Sequence, residues 1–191
     1  MSVFDEKQFL ETYKSNPELA FRQLMDEFKD KMFLFCRRVT KGTQDAEDLT
    51  QEVFIRIWKG LMNFRGDSAL NTWMYRIAWN VCASHLDKKG RAMDMMPYEE
   101  GDKDDDNPVY TRIGKEDQYI SGFEQRQYLE VLFEQLPSSH KQVLTLYYLQ
   151  GQNYQEIADV TGWKMGTVKA TIHRAKSNLR TAALEERGTD G

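Results

Sequence analysis

Residues 153–180 read NYQEIADVTGWKMGTVKATIHRAKSNLR, and this stretch decides the fold. Asn153 and Glu156 have the spacing of a capping box, which marks the start of a short helix. Ala158 is small where two helices must cross closely. Gly162 stands where a tight turn demands positive φ. Val168 then points back to the core. At ~100° per residue, Val168, Ile172, Ala175 and Leu179 fall within about 40° of one line, the buried face of a second helix. Lys169, His173, Lys176 and Arg180 share a neighbouring arc of roughly 60°. No acidic residue occurs between Thr161 and Ala183. Two helices joined by a glycine turn, the second basic on one side, are a helix-turn-helix suited to the DNA major groove. There Lys and Arg meet phosphates and guanine edges, and Thr167 sits near the helix start. The candidate duplex contacts are Lys164, Thr167, Lys169, His173, Arg174, Lys176 and Arg180. His173 is expected at the groove or the surface, because no nucleophile or carboxylate is placed to work with it.

Working outward, no alternating pattern marks a strand, so the expected fold class is all-α. Around the helix-turn-helix, helices are expected over Phe123–Leu136, Ser138–Leu149, Tyr154–Val160 and roughly Met165–Leu184, with Pro137 and Gly151 as separators. In the N-terminal half, Asn16-Pro17 reads as an N-cap followed by proline at the first helical position. Phe21, Leu24, Phe28, Met32, Phe35 and Val39 then recur at helical spacing as far as Lys41-Gly42. A second helix starts at Thr43–Asp45 and runs to about Leu61, with Ala46, Leu49, Val53, Ile57 and Leu61 as its core face. Phe64-Arg65-Gly66-Asp67 is a turn. A third helix carries Leu70, Met74, Ile77 and Val81 on one face and ends in Lys88-Lys89-Gly90-Arg91.

Two small helical domains result, 1–92 and 123–191, joined by an acidic flexible linker over 93–122. Its core, Asp102-Lys103-Asp104-Asp105-Asp106-Asn107-Pro108, lacks the apolar surface to order itself. It faintly resembles a calcium loop, but Asn107 stands where Gly is needed and Ile113 where Glu is needed. No metal site and no cofactor are expected. The 191-residue chain has a formal net charge of -4, yet residues 93–123 alone hold nine acidic and three basic residues. The flanks are therefore not acidic, and the low overall charge does not argue against nucleic acid. Two distant cysteines, Cys36 and Cys82, fit a reducing compartment. With no signal peptide and no apolar run of spanning length, the expectation is a cytoplasmic chain that is not itself a membrane protein.

Two further surfaces stand out. Opposite the core face of the second helix, Gln51, Phe54, Ile55 and Trp58 lie with Asp48 and Glu52. Phe54 alone fits packing within a bundle equally well; the group together fits aromatic anchors with a polar rim for a protein partner. On the third helix Trp73, Arg76 and Asn80 fall within about 60° of each other, an aromatic, a cation and an amide suited to single-stranded nucleic acid. Three readings stay open on residues alone: a polymerase-bound promoter factor, a regulator with a sensory N-terminal domain, and a nucleic-acid enzyme. The last lacks a site, since the three histidines are scattered and there is no phosphate loop.

Asp45-Ala46-Glu47-Asp48-Leu49-Thr50-Gln51-Glu52-Val53-Phe54, then Phe64-Arg65-Gly66, then Asn71-Thr72-Trp73-Met74-Tyr75-Arg76-Ile77-Ala78, resembles region 2 of extracytoplasmic-function (ECF) sigma factors. Leu136-Pro137 through Arg180, with Gly166-Thr167-Val168-Lys169 and His173-Arg174-Ala175-Lys176, is similar to their region 4. The resemblance spans most of residues 10–184 and departs from the family at Lys164, at Trp79 and at Ala69-Leu70-Asn71 in the loop before the third helix, which leaves the −10 sequence open. It implies no catalytic residue. It implies core RNA polymerase as partner, bound at the β′ clamp helices through Asp48, Gln51, Glu52, Phe54 and Trp58, and at the β subunit. It implies capture of the melted −10 strand by Phe64, Arg65, Ala69, Leu70, Asn71, Trp73, Arg76 and Asn80, and reading of the −35 element by the helix-turn-helix residues. It also implies promoter DNA and an anti-sigma factor as partners.

Overall fold

The structure, a computed structural model, describes residues 4–40, 42–90 and 133–188, the side chains of Arg180 and 182–188 excepted. The acidic segment 93–122, its calcium-loop likeness, most of the expected helix Phe123–Leu136, and Arg91 lie outside those residues. Among the described residues every regular element is helical: α1 Glu6–Ser15, α2 Pro17–Arg37, α3 Thr43–Leu61, α4 Leu70–Lys88, α5 Ser138–Leu144, α6 Tyr154–Thr161 and α7 Met165–Gly188.

Helices α1 to α4 form the first unit. Helix α1 was not anticipated from the sequence. Asp5 caps it by accepting from the Gln8 N–H at 3.0 Å, and Phe9 is buried beside Phe4 and Tyr13. Helix α2 starts as the Asn16-Pro17 pair requires, with the Asn16 side chain accepting from the Leu19 N–H. It ends at Arg37, short of Lys41-Gly42. Its Ala20, Leu24, Phe28, Met32 and Phe35 are buried at three-to-four spacing, against the core face of α3. Asp45 at the start of α3 pairs with Lys89 beyond the end of α4 at 2.6 Å.

In the second unit, the expected helix Ser138–Leu149 becomes α5 followed by a π-helical turn over Thr145–Leu149. The Gln150 N–H reaches back to the Thr145 carbonyl at 3.1 Å, a five-residue step that leads into Gly151 at φ 65. Ser139, His140, Lys141 and Gln142 of α5 are all buried, although a surface helix of this composition would leave them in water.

The two units share a continuous apolar core. Helix α4 is extensively buried because α6 packs on it as well as α2 and α3. Among the described residues, contacts between the units include three made by arginine and tryptophan side chains. The Arg38 guanidinium lies 4.7 Å over the Phe133 ring. Trp79 and Trp163 pack edge to face, ring centres 5.2 Å apart at 90°. The Arg76 Nε–H donates to the Asp159 carbonyl at 2.7 Å.

Candidate nucleic-acid interface

The helix-turn-helix forms as its local chemistry requires. The Asn153 side chain accepts from the Glu156 N–H at 3.0 Å, and Glu156 accepts from the Asn153 N–H at 2.8 Å. Such a cap contributes about 1 kcal/mol. Gly162 closes α6 with φ 74 and ψ 11, the left-handed cap its sequence position demanded. Its N–H donates to the Ala158 carbonyl at 2.8 Å, and the Thr161 hydroxyl then accepts from the Trp163 N–H. Val168, Ile172 and Ala175 are buried and Leu179 packs beside them. That face fixes the rotation of α7.

With that rotation, Lys164, Lys169 and His173 are exposed, and Thr167 and Arg174 are half-buried. The Lys176 ammonium lies 5.0 Å over both the Tyr147 and Tyr148 rings, so its stem covers the π-helical turn. The side chain of Arg180 lies outside the described residues. The arrangement offers a basic helix face with no acid along it, which can meet phosphates and base edges.

On α3, Asp48, Gln51 and Trp58 are exposed. Glu52 is half-buried and pairs with Arg56. Trp58 lies 4.9 Å from Phe21, and Ile55 is exposed beside it. Phe54 is different. It is buried, edge-on to Phe21 at 6.3 Å, so it supports the surface from below and is not an anchor on it. The face thus consists of Trp58 and Ile55 with an Asp48–Gln51–Glu52 rim.

The loop between α3 and α4 leaves Arg65 and Ala69 exposed and Phe64 half-buried. Leu70 is fully buried and belongs to the core, not to a strand contact. Asn71 is half-buried. The Trp73–Arg76–Asn80 cluster is divided. Trp73 packs inward on Phe64, ring centres 5.2 Å apart. Arg76 and Asn80 are exposed and border a cavity of about 480 Å³, whose far wall is α6 with Gly162, Trp163 and Met165. The face expected to hold a single strand is therefore partly covered by the helix-turn-helix. Trp79, the departure noted in the sequence, is the residue that packs on Trp163 there.

Cys36 and Cys82 are buried and neither is in a disulfide. Hydrogen bonding to Cys36, together with burial, pushes the Cys82 thiol up. Tyr75 is likewise pushed up, by burial first and by Cys36 second. The Cys36 thiol moves the other way: its hydrogen bond with Cys82 pushes it down, against burial. Among the described residues no group of His, Cys, Asp and Glu is gathered to hold a metal ion, and no helix is long and apolar enough to cross a membrane.

Residues 24–92 match the family Sigma-70 region 2, and residues 126–179 match Sigma-70, region 4. The chain is 32% identical over 187 residues to the RNA polymerase sigma-H factor of Pseudomonas aeruginosa, covering 93% of each chain. It is 31% identical over 177 residues to the ECF RNA polymerase sigma-E factor of Escherichia coli, covering 91% of this chain and 92% of that one. Among solved structures it is similar in fold to CnrH, seen in complex with the cytosolic domain of CnrY. That match has TM-score 0.63 and 21% identity, over 95% of this chain and 97% of that one. It is similar also to the sigma factor RpoE of Bartonella quintana, seen with the anti-sigma factor NepR. There the TM-score is 0.59 and the identity 22%, over 84% of this chain and 94% of that one.

Proposed function

This chain belongs to the extracytoplasmic-function family of RNA polymerase sigma factors, and from that membership we propose how its surfaces share the work of transcription initiation. It binds core RNA polymerase and directs it to promoters; it acts by binding, in the cytoplasm, and not as an enzyme. The observation that carries the division of labour is that one chain holds a basic helix-turn-helix and, on α3, an exposed Trp58–Ile55 face rimmed by Asp48, Gln51 and Glu52.

Residues 123–191 read the −35 element as duplex through Lys164, Thr167, Lys169, His173 and Arg174, while Lys176 and Arg180 extend the basic side. Residues 1–92 dock on the β′ clamp helices through α3 and hold the melted −10 strand with the 62–69 loop, Arg76 and Asn80. The segment 93–122 links the two, and the second unit contacts the β subunit. Trapping unpaired bases lowers the cost of opening, since unstacking takes a few kcal/mol per base. Arg76 and Asn80 face α6 in the packed arrangement, so strand capture requires the units to separate, as docking on two sites of the polymerase would make them do. An anti-sigma factor, the kind of partner seen with the Bartonella relative, holds the chain inactive.

Reconstitution with core polymerase tests this. Run-off transcription of genomic DNA followed by sequencing is expected to yield transcripts that share two upstream elements. Asp48→Ala with Trp58→Ala is expected to weaken core binding and leave α7 intact. Tight duplex binding by the chain alone, with no specific transcript when core is added, would instead mark an ordinary regulator.

A further inference from the structure

The 62–69 loop carries its exposed residues between two anchored ends, and each anchor depends on a residue outside the loop. At the far end α4 begins at Leu70. Its N-cap position is Ala69, which has no side-chain acceptor to offer. The first N–H groups of a helix need acceptors. The Leu70 N–H finds one in Glu6, whose Oε2 lies 3.0 Å away across 64 residues of chain. Glu6 also stands in the first turn of α1, so one carboxylate sits at the positive ends of two helices. Helix α1 is held there by Phe9, which is buried, and by Phe4 edge-on to Phe28 at 5.1 Å. Both Glu6 and α1 precede the segment that matches region 2.

At the near end the Trp73 indole lies against α3 at Gly60. A Cβ at position 60 would come within 2.8 Å of Trp73 Cζ2, so only Gly60 lets the indole occupy this place. The indole in turn packs on Phe64, the aromatic residue of the loop. The Asn63 N–H closes back on the Gly60 carbonyl at 3.0 Å. Between these anchors Arg65, Gly66, Asp67 and Ala69 are exposed, and Gly66 takes φ 77.

We propose that Glu6 and Gly60 are positioning residues for strand capture: Glu6 holds the α4 end of the loop through the Leu70 N–H, and Gly60 holds the other end by seating Trp73 against Phe64. Neither touches DNA. The proposal rests on the reading that this loop takes up an unpaired −10 base. A loop fixed at both ends presents one shape to that base, and the ordering entropy is already spent before the strand arrives.

The test uses full-length chain assembled with core polymerase and a fork-junction DNA built from a promoter found by run-off sequencing. Affinity is compared for the intact fork and for forks made abasic at each −10 non-template position in turn. Wild type is expected to lose affinity at one or two positions. Glu6→Ala is expected to shrink that discrimination roughly fivefold, the effect of losing one helix cap, and Gly60→Ala, which must displace the Trp73 indole, is expected to shrink it as well, while core affinity is unchanged in both. Glu6→Gln, whose amide carbonyl still accepts, is expected to stay within about twofold of wild type on the same scale. If wild type shows no discrimination, the loop reading itself fails. If wild type discriminates and both Glu6→Ala and Gly60→Ala discriminate equally well, or if they lose core binding in parallel with fork binding, the positioning proposal is overturned and the loop reading stands.

Discussion

Replacing Trp79 and Trp163 with alanine, singly and together, measures how firmly the two units are joined. Trp79 is 4% exposed and Trp163 is half-buried, and the rings meet edge to face at 5.2 Å. Truncating a buried tryptophan costs about 3–5 kcal/mol through lost burial and the cavity left behind. Trp163 is partly in water already, so its truncation falls below that range. The aromatic pair contributes about 0.5–1.5 kcal/mol beyond area burial. The double variant should therefore lose about 1 kcal/mol less than the sum of the single losses, by the same pairwise figure. Urea unfolding of the four proteins, followed by circular dichroism, gives the cycle. Because the pair bridges α4 and the turn between α6 and α7, Trp163→Ala should also enlarge the radius of gyration measured by small-angle scattering. Losses that add to within about 0.3 kcal/mol, the behaviour of sites that do not touch, would refute the packing of α6 on α4 and with it the covering of Arg76 and Asn80.

Three more outcomes follow from single residues. Gly162→Ala meets no steric obstacle but must hold φ 74, so urea unfolding should show a loss of about 1–2 kcal/mol; an unchanged midpoint would contradict the left-handed cap. Lys169→Ala, on the exposed face of α7, should reduce the salt dependence of promoter binding by about one phosphate's worth and weaken different promoters alike; a base-specific change in preference would show that Lys169 reads sequence. The Lys89 ammonium, through its hydrogen bond and then its charge, holds the Asp45 carboxyl below the ordinary carboxylate range. Its folded value is depressed, so the pair's contribution is present above the unfolded value and fades as pH falls through the folded one. NMR titration of Asp45 should move upward in Lys89→Met, and an unmoved curve would dissolve the pair.

Features that depend only on a few consecutive residues were legible in advance. The Asn153–Glu156 box, the left-handed Gly162, the Asn16-Pro17 start and the buried faces of α2, α3 and α7 all formed where periodicity put them. Helix α1 was missed, although Asp5 followed by Phe9 and Tyr13 is a cap and a one-sided apolar pair. The π-helical turn was missed because its extra residue is absorbed by packing near Gly151, which an α-helical period cannot register. Phe54 stayed open between bundle packing and a partner surface because a helical wheel gives angles and not neighbours, and Leu70, which periodicity put on an apolar helix face, became a strand contact only through the family resemblance. With Phe21 against one and the first unit's core against the other, both residues are interior.

The sequence alone determined that the chain is helical, that its C-terminal part is a helix-turn-helix whose second helix is basic and free of acids as far as Ala183, and which family it resembles. Caps, glycine turns and a 3.6-residue period act over distances shorter than one helix, so composition and order suffice to specify them. Tertiary structure alone decided that Trp79 meets Trp163, that Arg76 and Asn80 face the reading domain, and that Glu6 caps a helix 64 residues away. Each of these depends on which surfaces find each other once apolar faces are buried, and that choice is made by the whole chain at once.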